Sequence, residues 1–346
     1  AVESVGSLPV RLEERIKQLY PWRHWMPPSE SWGRRPCILV AGCGSGHQLA
    51  VELRTYSNCD IVALDCSVRA VARAQRKLEA VLNAADFARV RFVVADIMEL
   101  SGAEAFGVEE GFDLVICCAV LHHLRDPTEG LRRLASVLLP GGILQLATYS
   151  SISVSSWREP VLLWMQQASS SVQHLFDSST GALLRTPTQD EVRAFRQEVL
   201  NLQKGNEVHD LLVHFREFYT LAGILDLLFH PLERTFTLAE LSEGPIQSAG
   251  LIVLGVFFPD VNVDLAARRK FRSTTGPGVE RDARMVDLLQ WHKLEQEDPD
   301  LFGRMHTLFL ERPSAVDCLP ESSADLSSSS SKRRKILDGS HVAGSA

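Results

Sequence analysis

The stretch Ile38-Leu39-Val40-Ala41-Gly42-Cys43-Gly44-Ser45-Gly46-His47 decides the fold, because an apolar run leads directly into a loop with glycine at alternate positions. Glycine lacks a Cβ and tolerates positive φ, so the chain can turn sharply after a strand and leave its backbone open to a ligand. A nucleotide-like cofactor fits such a loop. The dinucleotide pattern G-x-G-x-x-G requires a third glycine where this chain has His47, so NAD and FAD are disfavoured.

Further apolar runs alternate with helix-like segments along the first half of the chain. The runs are residues 61–64, 90–95, 114–119 and 143–148, and the clearest helical segments are residues 68–82 and 128–138. This alternation is typical of a parallel α/β sheet, in which right-handed crossovers bring the carboxyl ends of the strands to one edge. We therefore predict an α/β fold with a Rossmann-like, mostly parallel sheet, helices on both faces and a ligand site at that edge.

Two carboxylates follow the second and third predicted strands. Asp65 comes 19 positions after Gly46, where the acidic residue of ribose-binding folds accepts hydrogen bonds from both ribose hydroxyls. Asp65 could instead cap the helix at 68–82, a role for which Ser67 competes. Asp96, followed by Ile97, could accept a hydrogen bond from an exocyclic amine while apolar neighbours hold a flat base. An ordinary turn at the end of the strand is the alternative for Asp96.

Five motifs in order carry a family resemblance: AGCGSG, ALDCS, VVADIMEL, FDLVICCAVLHHLRDP and LLPGGILQLATYS. In this order they resemble a class I S-adenosylmethionine-dependent methyltransferase. The resemblance implies S-adenosyl-L-methionine as the cofactor. The residues that it would place around the cofactor are Gly42, Cys43, Gly44, Gly46, Asp65, Cys66, Asp96, Ile97, Cys118 and Ala119.

The resemblance extends over nearly residues 10–312. The segments DEVRAFRQ, FYTLAGILDLLFHPLERTFTLAEL and LLQWHKLEQEDPDLFGRMHTLFLER are similar to a bacterial-type methyltransferase group often attached to tetratricopeptide repeats, and LYPWRHW is similar to the N-terminal segment of that group. This implies fusion to or association with repeat modules. The resemblance does not name the methyl acceptor. We expect either a small molecule or a protein, with a small molecule slightly favoured.

Two departures from the family pattern affect the site. Most class I enzymes have an acidic residue just before the glycine loop to support the methionine amine, and this chain has Ala41. Backbone carbonyls of the glycine loop and of the segment Cys118-Ala119 are the expected substitutes. The arginine that the related group has before Asp-Leu-Leu-Phe-His is Leu225 here, so a substrate-binding role at that position is in doubt.

Composition argues against several classes of partner. The net charge of −7 and the pI of about 5.9 provide no basic field for phosphate backbones, so nucleic acid is an unlikely acceptor. The seven cysteines form no C-x-x-C pair and indicate a reducing, cytoplasmic setting. Because no apolar run approaches 18 residues, we expect no membrane span. The run Lys332-Arg333-Arg334-Lys335 could be a nuclear address, although a solvated charge run is the more ordinary interpretation.

The α/β rhythm stops after residue 150 and returns at the apolar run 251–258, so a helical insertion between the fifth and sixth strands is expected. The predicted organisation is a cofactor-covering segment (1–35), a cofactor-binding core (36–150), a helical lid or acceptor lobe (151–236), a return to the sheet (237–260), a C-terminal helical segment (261–312) and a disordered tail (313–346). A plain packing or dimerisation layer is the alternative for the lobe.

Methyl transfer from a sulfonium is an in-line displacement that chiefly requires position and exclusion of water. His122 and His123 follow the fourth strand, and one of them could accept a proton from the methyl acceptor. Stabilising the turn at 124–127 is the alternative for each histidine. Tyr149, after the fifth strand, could position the acceptor or simply cap the core.

The remaining candidates concern the cofactor cover and metals. Arg23, with Tyr20, Trp22 and Trp25, could cover the cofactor and pair with its carboxylate, or these side chains could be ordinary packing. We assign no metal, since the histidines of the helical block lack the i, i+4 spacing of a helical metal pair. A methyltransferase is the first functional interpretation. A non-catalytic cofactor-binding scaffold and a nucleotide-dependent oxidoreductase are the alternatives.

Overall fold

The structure is a computed structural model that describes residues 9–108, 110–273 and 282–314, and its centre is a seven-stranded sheet in the order β3-β2-β1-β4-β5-β7-β6. The strands are β1 Cys37–Ala41, β2 Asp60–Asp65, β3 Val90–Val94, β4 Phe112–Cys118, β5 Leu138–Tyr149, β6 Ile252–Val256 and β7 Met305–Glu311. Strands β1 to β5 pair in parallel, and β7 runs antiparallel between β5 and β6. The predicted Rossmann-like, mostly parallel sheet is confirmed.

Helices cover both faces of the sheet. Around the α/β core they are α1 Leu12–Leu19, α2 His47–Thr55, α3 Val68–Glu79, α4 Ala84–Ala88 and α5 Pro127–Ser136. Apolar residues of α1 and α2 pack on one face with Ile38 and Ile143. The other face packs α5 and the later helices against Leu39 and Leu144. Because alternate residues of a strand point to opposite faces, each of these buried strands contributes to both apolar layers.

Four helices form a separate lobe between β5 and β6 in the chain. They are α6 Ser151–Gln167, α7 Gln189–Asn201, α8 Glu207–Leu212 and α9 Leu221–Leu228. Their apolar side chains build their own cluster around Phe195, Phe218 and Phe229. Helix α6 begins directly after the sheet, because Ser150 caps it by accepting a hydrogen bond from the backbone of Ser153. Helices α8 and α9 are separated by a short 3-10 turn at Arg216–Tyr219.

The C-terminal part of the chain differs from the prediction. It contains α10 Leu238–Leu241, which continues through a π-helical turn at Ser242–Ile246, then α11 Val261–Ser273 and α12 Leu288–Glu297. The expectation that residues 261–312 are wholly helical is wrong, because β7 lies within them and fills the position between β5 and β6. Residues 315–346, most of the predicted tail with Lys332–Lys335, lie outside the described part of the chain. Of the described helices, none is both long and apolar enough to cross a membrane.

The N-terminal segment does not have the predicted position over the cofactor. Arg23 forms an ion pair with Glu311, with Nε 2.9 Å from Oε2, and the indole N–H of Trp25 donates to the carbonyl of Gly141 at 2.7 Å. Glu311 is aligned with Ile143 near the start of β5, so these contacts lie at the edge of the sheet opposite the glycine loop. The assignment of Arg23 to the cofactor carboxylate is therefore wrong. As far as the structure describes it, the segment packs against the sheet instead of covering the cofactor site.

Candidate active site

The glycine loop after β1 leaves open space at one position only among its three glycines. Gly42, Gly44 and Gly46 have φ of 75°, 51° and 84°, in the left-handed region that favours glycine. A Cβ at Gly42 would clash with the side chain of Val120, and one at Gly46 would lie 3.1 Å from Ala74. At Gly44 a Cβ would meet nothing within 4 Å. Gly44 is therefore the glycine whose bare backbone a ligand can approach at this edge.

Asp65 lies beside this loop at the end of β2. Its Oδ2 accepts a hydrogen bond from the backbone N–H of Gly44 at 2.8 Å, and its Oδ1 accepts one from Ser67 at 2.9 Å. Ser67 caps α3 by accepting a hydrogen bond from the backbone N–H of Ala70. The helix is therefore capped by Ser67 and not by Asp65. A carboxylate has about four lone-pair sites, so both oxygens can still accept from ribose hydroxyls.

Two candidate cofactor-binding residues follow β3: Asp96 lies at the surface and Ile97 lies in the core. Asp96 is exposed, and its Oδ1 accepts from the backbone of Met98 at 2.9 Å, which leaves the other oxygen free of that turn. Ile97 is only 4% exposed and packs in the core, so its side chain does not offer the flat base a surface. Cys66 is exposed beside Asp65.

The loop after β4, residues 119–123 (the β4 loop), lies at the same edge of the sheet and faces Gly42. Ala119 has φ of 58°, a left-handed conformation that costs a non-glycine residue roughly 1–2 kcal/mol. Its N–H donates to the carbonyl of Ala147 at 3.0 Å, and the next residue, Val120, packs against Gly42. Cys118 is half-buried, whereas the side chain of Cys43 is buried in the core and only its backbone can face a ligand.

His122 is a fully buried, neutral histidine. Its ring stacks on Tyr149 with centroids 4.3 Å apart, and neither ring nitrogen has a hydrogen-bond partner. Burial, reinforced by the positive charge of His123, lowers the pKa of His122 to about 3. Burial also raises the pKa of Tyr149 to about 12, so both side chains are uncharged at neutral pH.

His123 has the opposite electrostatic setting. Its Nδ1 lies 3.0 Å from the carbonyl oxygen of Leu232, and its Nε2 lies 3.4 Å from Oδ1 of Asp226. Burial alone lowers the pKa of His123, but the interactions with Asp226 and Leu232 outweigh it and the pKa is raised. Nδ1 of His123 contacts a carbonyl oxygen, whereas Nε2 lies at ion-pair distance from Asp226 without forming a hydrogen bond. Of the two candidate bases, His122 therefore has both ring nitrogens without a partner among the described residues, and His123 has one.

Four charged or titratable residues of the lobe and its exit segment were missed by the sequence analysis: Arg158, Asp226, His230 and Glu233. Arg158 and Glu233 form a buried ion pair, and the ring of His230 lies 3.8 Å from that of His123. Burial is the main cause of the raised pKa of Glu233. Three of these residues are about a hundred positions from the β4 loop in sequence, and their spacing alone carried no signal.

The histidines of this cluster are of a residue type that metal ions take as ligands. Among residues 9–108, 110–273 and 282–314, no group of three or more His, Cys, Asp or Glu side chains could hold a metal ion. His209, another histidine of the lobe, pairs with Asp210, with Nδ1 2.8 Å from Oδ1.

Comparisons with known proteins agree with this geometry. Residues 39–144 match the family model described as a methyltransferase domain. Over 129 residues the chain is 31% identical to an uncharacterized methyltransferase of Mycobacterium tuberculosis, covering 37% of this chain and 58% of that protein. It is 33% identical over 140 residues to the 27-O-demethylrifamycin SV methyltransferase of Amycolatopsis mediterranei, covering 40% of this chain and 44% of that protein. The aligned region spans about half the length of these curated relatives.

The fold of PKMT2 from Rickettsia typhi, solved in complex with AdoHcy, is similar over 89% of this chain and 54% of that one, with a TM-score of 0.57 and 14% identity. The strand order, the glycine loop and the match of residues 39–144 to a methyltransferase domain are those expected of the α/β core of an S-adenosylmethionine-dependent methyltransferase. Its cofactor is S-adenosylmethionine.

Proposed function

We propose that the protein transfers a methyl group from S-adenosylmethionine to a small polar molecule bound between the carboxyl edge of the sheet and the helical lobe. The residues present fit the cofactor, because Gly44 leaves open space beside Asp65 and the exposed Asp96 lies at the same edge. The bound cofactor supplies an electrophilic methyl group on its sulfonium. The chain then has to hold the acceptor in line and exclude water.

The observation that carries the proposal is a group of buried polar atoms without partners where the lobe meets the core. These atoms are Nδ1 and Nε2 of His122, Nε2 of His123, Oγ of Ser151, Nε of Arg158 and Oε2 of Glu233. A buried polar atom without a hydrogen bond costs about 1–3 kcal/mol, so a group of them indicates a site that polar ligand atoms or water complete. Both the core and the lobe contribute to it.

The charges of this region favour a neutral acceptor. Arg158 pairs with Glu233, and His123 lies against Asp226, so each charge is already balanced. A charged acceptor would be buried without a counter-ion, which is costly. The neutral His122 can accept a hydrogen bond from a hydroxyl or N–H of the acceptor, and Tyr149 holds the His122 ring in place by stacking.

The relatives support a small-molecule acceptor without naming it. The Amycolatopsis protein is, by its name, a methyltransferase of demethylrifamycin, which is a small molecule. Association with repeat modules, which the sequence resemblance over residues 10–312 implies, belongs to the same proposal. A cytoplasmic location also belongs to it, and the free cysteines of the described residues suit a reducing compartment.

Calorimetry with S-adenosylhomocysteine and NAD tests the cofactor, and a metabolite extract supplied with labelled S-adenosylmethionine tests transfer. We expect binding of S-adenosylhomocysteine, no binding of NAD and a labelled small product. Binding without any transfer to metabolite or protein fractions would favour the scaffold function instead.

Replacing residues 151–236 with a Gly/Ser linker tests the lobe. We expect the folded variant to keep cofactor binding and to lose methylation, because the acceptor atoms come partly from the lobe. Retained methylation of the same product would refute the lobe's role. Loss of cofactor binding in a folded core would place the lobe in the cofactor pocket.

A further inference from the structure

His123, in the loop after β4, contacts both the lobe and its exit segment. Oδ1 of Asp226, on α9, lies 3.4 Å from its Nε2, and the carbonyl of Leu232 lies 3.0 Å from its Nδ1. A neutral imidazole has one N–H and would turn a lone pair toward one of these two oxygens. Only the imidazolium has a hydrogen for each of them. The approach of Asp226 is an ion-pair distance without hydrogen-bond geometry, and together with the carbonyl of Leu232 it favours a protonated His123.

The neighbouring histidines do not share this charge. Nδ1 of His230 accepts a hydrogen bond from the backbone N–H of Leu232 at 3.2 Å, so that nitrogen carries no proton. His122 is buried without any partner for a charged ring. The titratable and charged groups that surround His123 from all packed elements are His122, Tyr149, Arg158, Asp226, His230 and Glu233.

We propose that Asp226 is a positioning residue that holds His123 as an imidazolium and thereby fixes the lobe against the β4 loop. The contact is next to a second one, in which the backbone N–H of Arg234 donates to the carbonyl of His122 at 2.9 Å. Since Val120 of the same loop packs against Gly42, the position of the lobe is tied to the glycine loop. The role of this contact in catalysis rests on the proposed methyl transfer, whereas the contact itself does not.

The sign of the pH dependence follows from the two partners. The raised pKa of His123 means that its contribution is present at low pH and is lost as the pH rises through that value. The pKa of Asp226 is lowered by His123 against the effect of burial, so its contribution is lost as the pH falls through that value. The contact between the lobe and the β4 loop should be strongest at pH values between the lowered pKa of Asp226 and the raised pKa of His123.

The test compares Asp226→Asn with Asp210→Asn. Asp210 also pairs with a histidine, His209, on the same lobe, but that pair does not contact the core loop. NMR titration of labelled histidines, with His123→Gln used to assign the signal, should show a raised pKa for His123 that falls in Asp226→Asn and stays in Asp210→Asn. Hydrogen exchange of the described residues 207–236 should become faster by roughly 1.5-fold to fivefold in Asp226→Asn only, because a partly exposed charged pair is lost.

A His123 pKa that is the same in Asp226→Asn and the unchanged protein would overturn the proposal. If Asp226→Asn does not fold, the unchanged protein decides alone: a His123 pKa at or below the ordinary value of about 6.5 would also overturn it. A protein that fails to bind S-adenosylhomocysteine would contradict the proposed function while leaving both of these readouts intact. The two failures are therefore distinguishable.

Discussion

Oε1 of Glu295 lies 2.7 Å from Nε2 of His306, and neither side chain is exposed. The same oxygen accepts a hydrogen bond from Oγ of Ser150 at 2.5 Å. Glu295 lies on α12, His306 on β7, and Ser150 follows β5 and caps α6. One carboxylate oxygen therefore joins the C-terminal helix, the antiparallel strand and the point where the chain leaves the sheet for the lobe.

Replacing Glu295 with alanine should destabilise the protein by about 2–4 kcal/mol, because two buried partners each lose a hydrogen bond worth about 1–3 kcal/mol when left unsatisfied. Urea unfolding measures the change. Glu297→Ala, an exposed glutamate on the same helix, is the control and should change stability by less than about 0.5 kcal/mol. Equal effects of the two substitutions would refute the structural role of Glu295.

Asp65→Ala should weaken binding of S-adenosylhomocysteine by about 1.5–3 kcal/mol, the range of hydrogen bonds to a charged group. Part of the loss comes from the N–H of Gly44, which Asp65 orients. Asp60→Ala is the matched control, since Asp60 lies at the other end of the same strand. Calorimetry on both folded variants decides the matter, and unchanged affinity of Asp65→Ala would remove the ribose assignment.

Gly44→Val should abolish cofactor binding while the fold largely survives. Gly33→Val is the control, because Gly33 has a similar φ of 69° and, as at Gly44, an added Cβ would meet nothing within 4 Å. Both variants carry the backbone strain of a left-handed residue, roughly 1–2 kcal/mol. Only Gly44 lies at the candidate cofactor site, so comparing their affinities separates strain from occupied ligand volume. Equal affinities would make the loop purely structural.

Acidification should destabilise the protein through His122. Its pKa is lowered from about 6.5 to about 3, so its contribution to stability is present above the unfolded value and is lost as the pH falls. Between pH 7 and pH 5 the loss should be about 1–2 kcal/mol. His122→Phe keeps an aromatic ring and should remove this part of the pH dependence, whereas His214→Phe, at an exposed position, should not. Parallel urea curves at the two pH values provide the measurement.

The parallel part of the sheet could be predicted because each strand is a short apolar run followed by a helix. Strand β7 could not, since the run Leu308-Phe309-Leu310 is too short to separate strand from helix by periodicity. Its place depends on pairing with β5 and β6, which are distant in sequence.

The candidate site likewise contains residues that the sequence could predict and residues that it could not. Gly44, Asp65 and Asp96 follow strands directly, so the chain order already places them at one edge. The pair of His123 with Asp226 joins two elements across the lobe boundary, and no local spacing indicates it. Arg23 was assigned wrongly because an arginine near aromatic residues suggests a cofactor contact, whereas its actual partner, Glu311, comes at the end of the last strand.

The position of β7 has a consequence for synthesis of the protein. As the chain emerges from the ribosome, β5 appears long before β7, the strand that lies beside it, and the whole lobe, β6 and the helices α10, α11 and α12 come in between. Until β7 arrives, β5 presents an unpaired edge, the kind of surface from which intermolecular strand pairing starts. A nascent or prematurely terminated chain ending before residue 305 would keep that edge open and depend on chaperones to avoid aggregation.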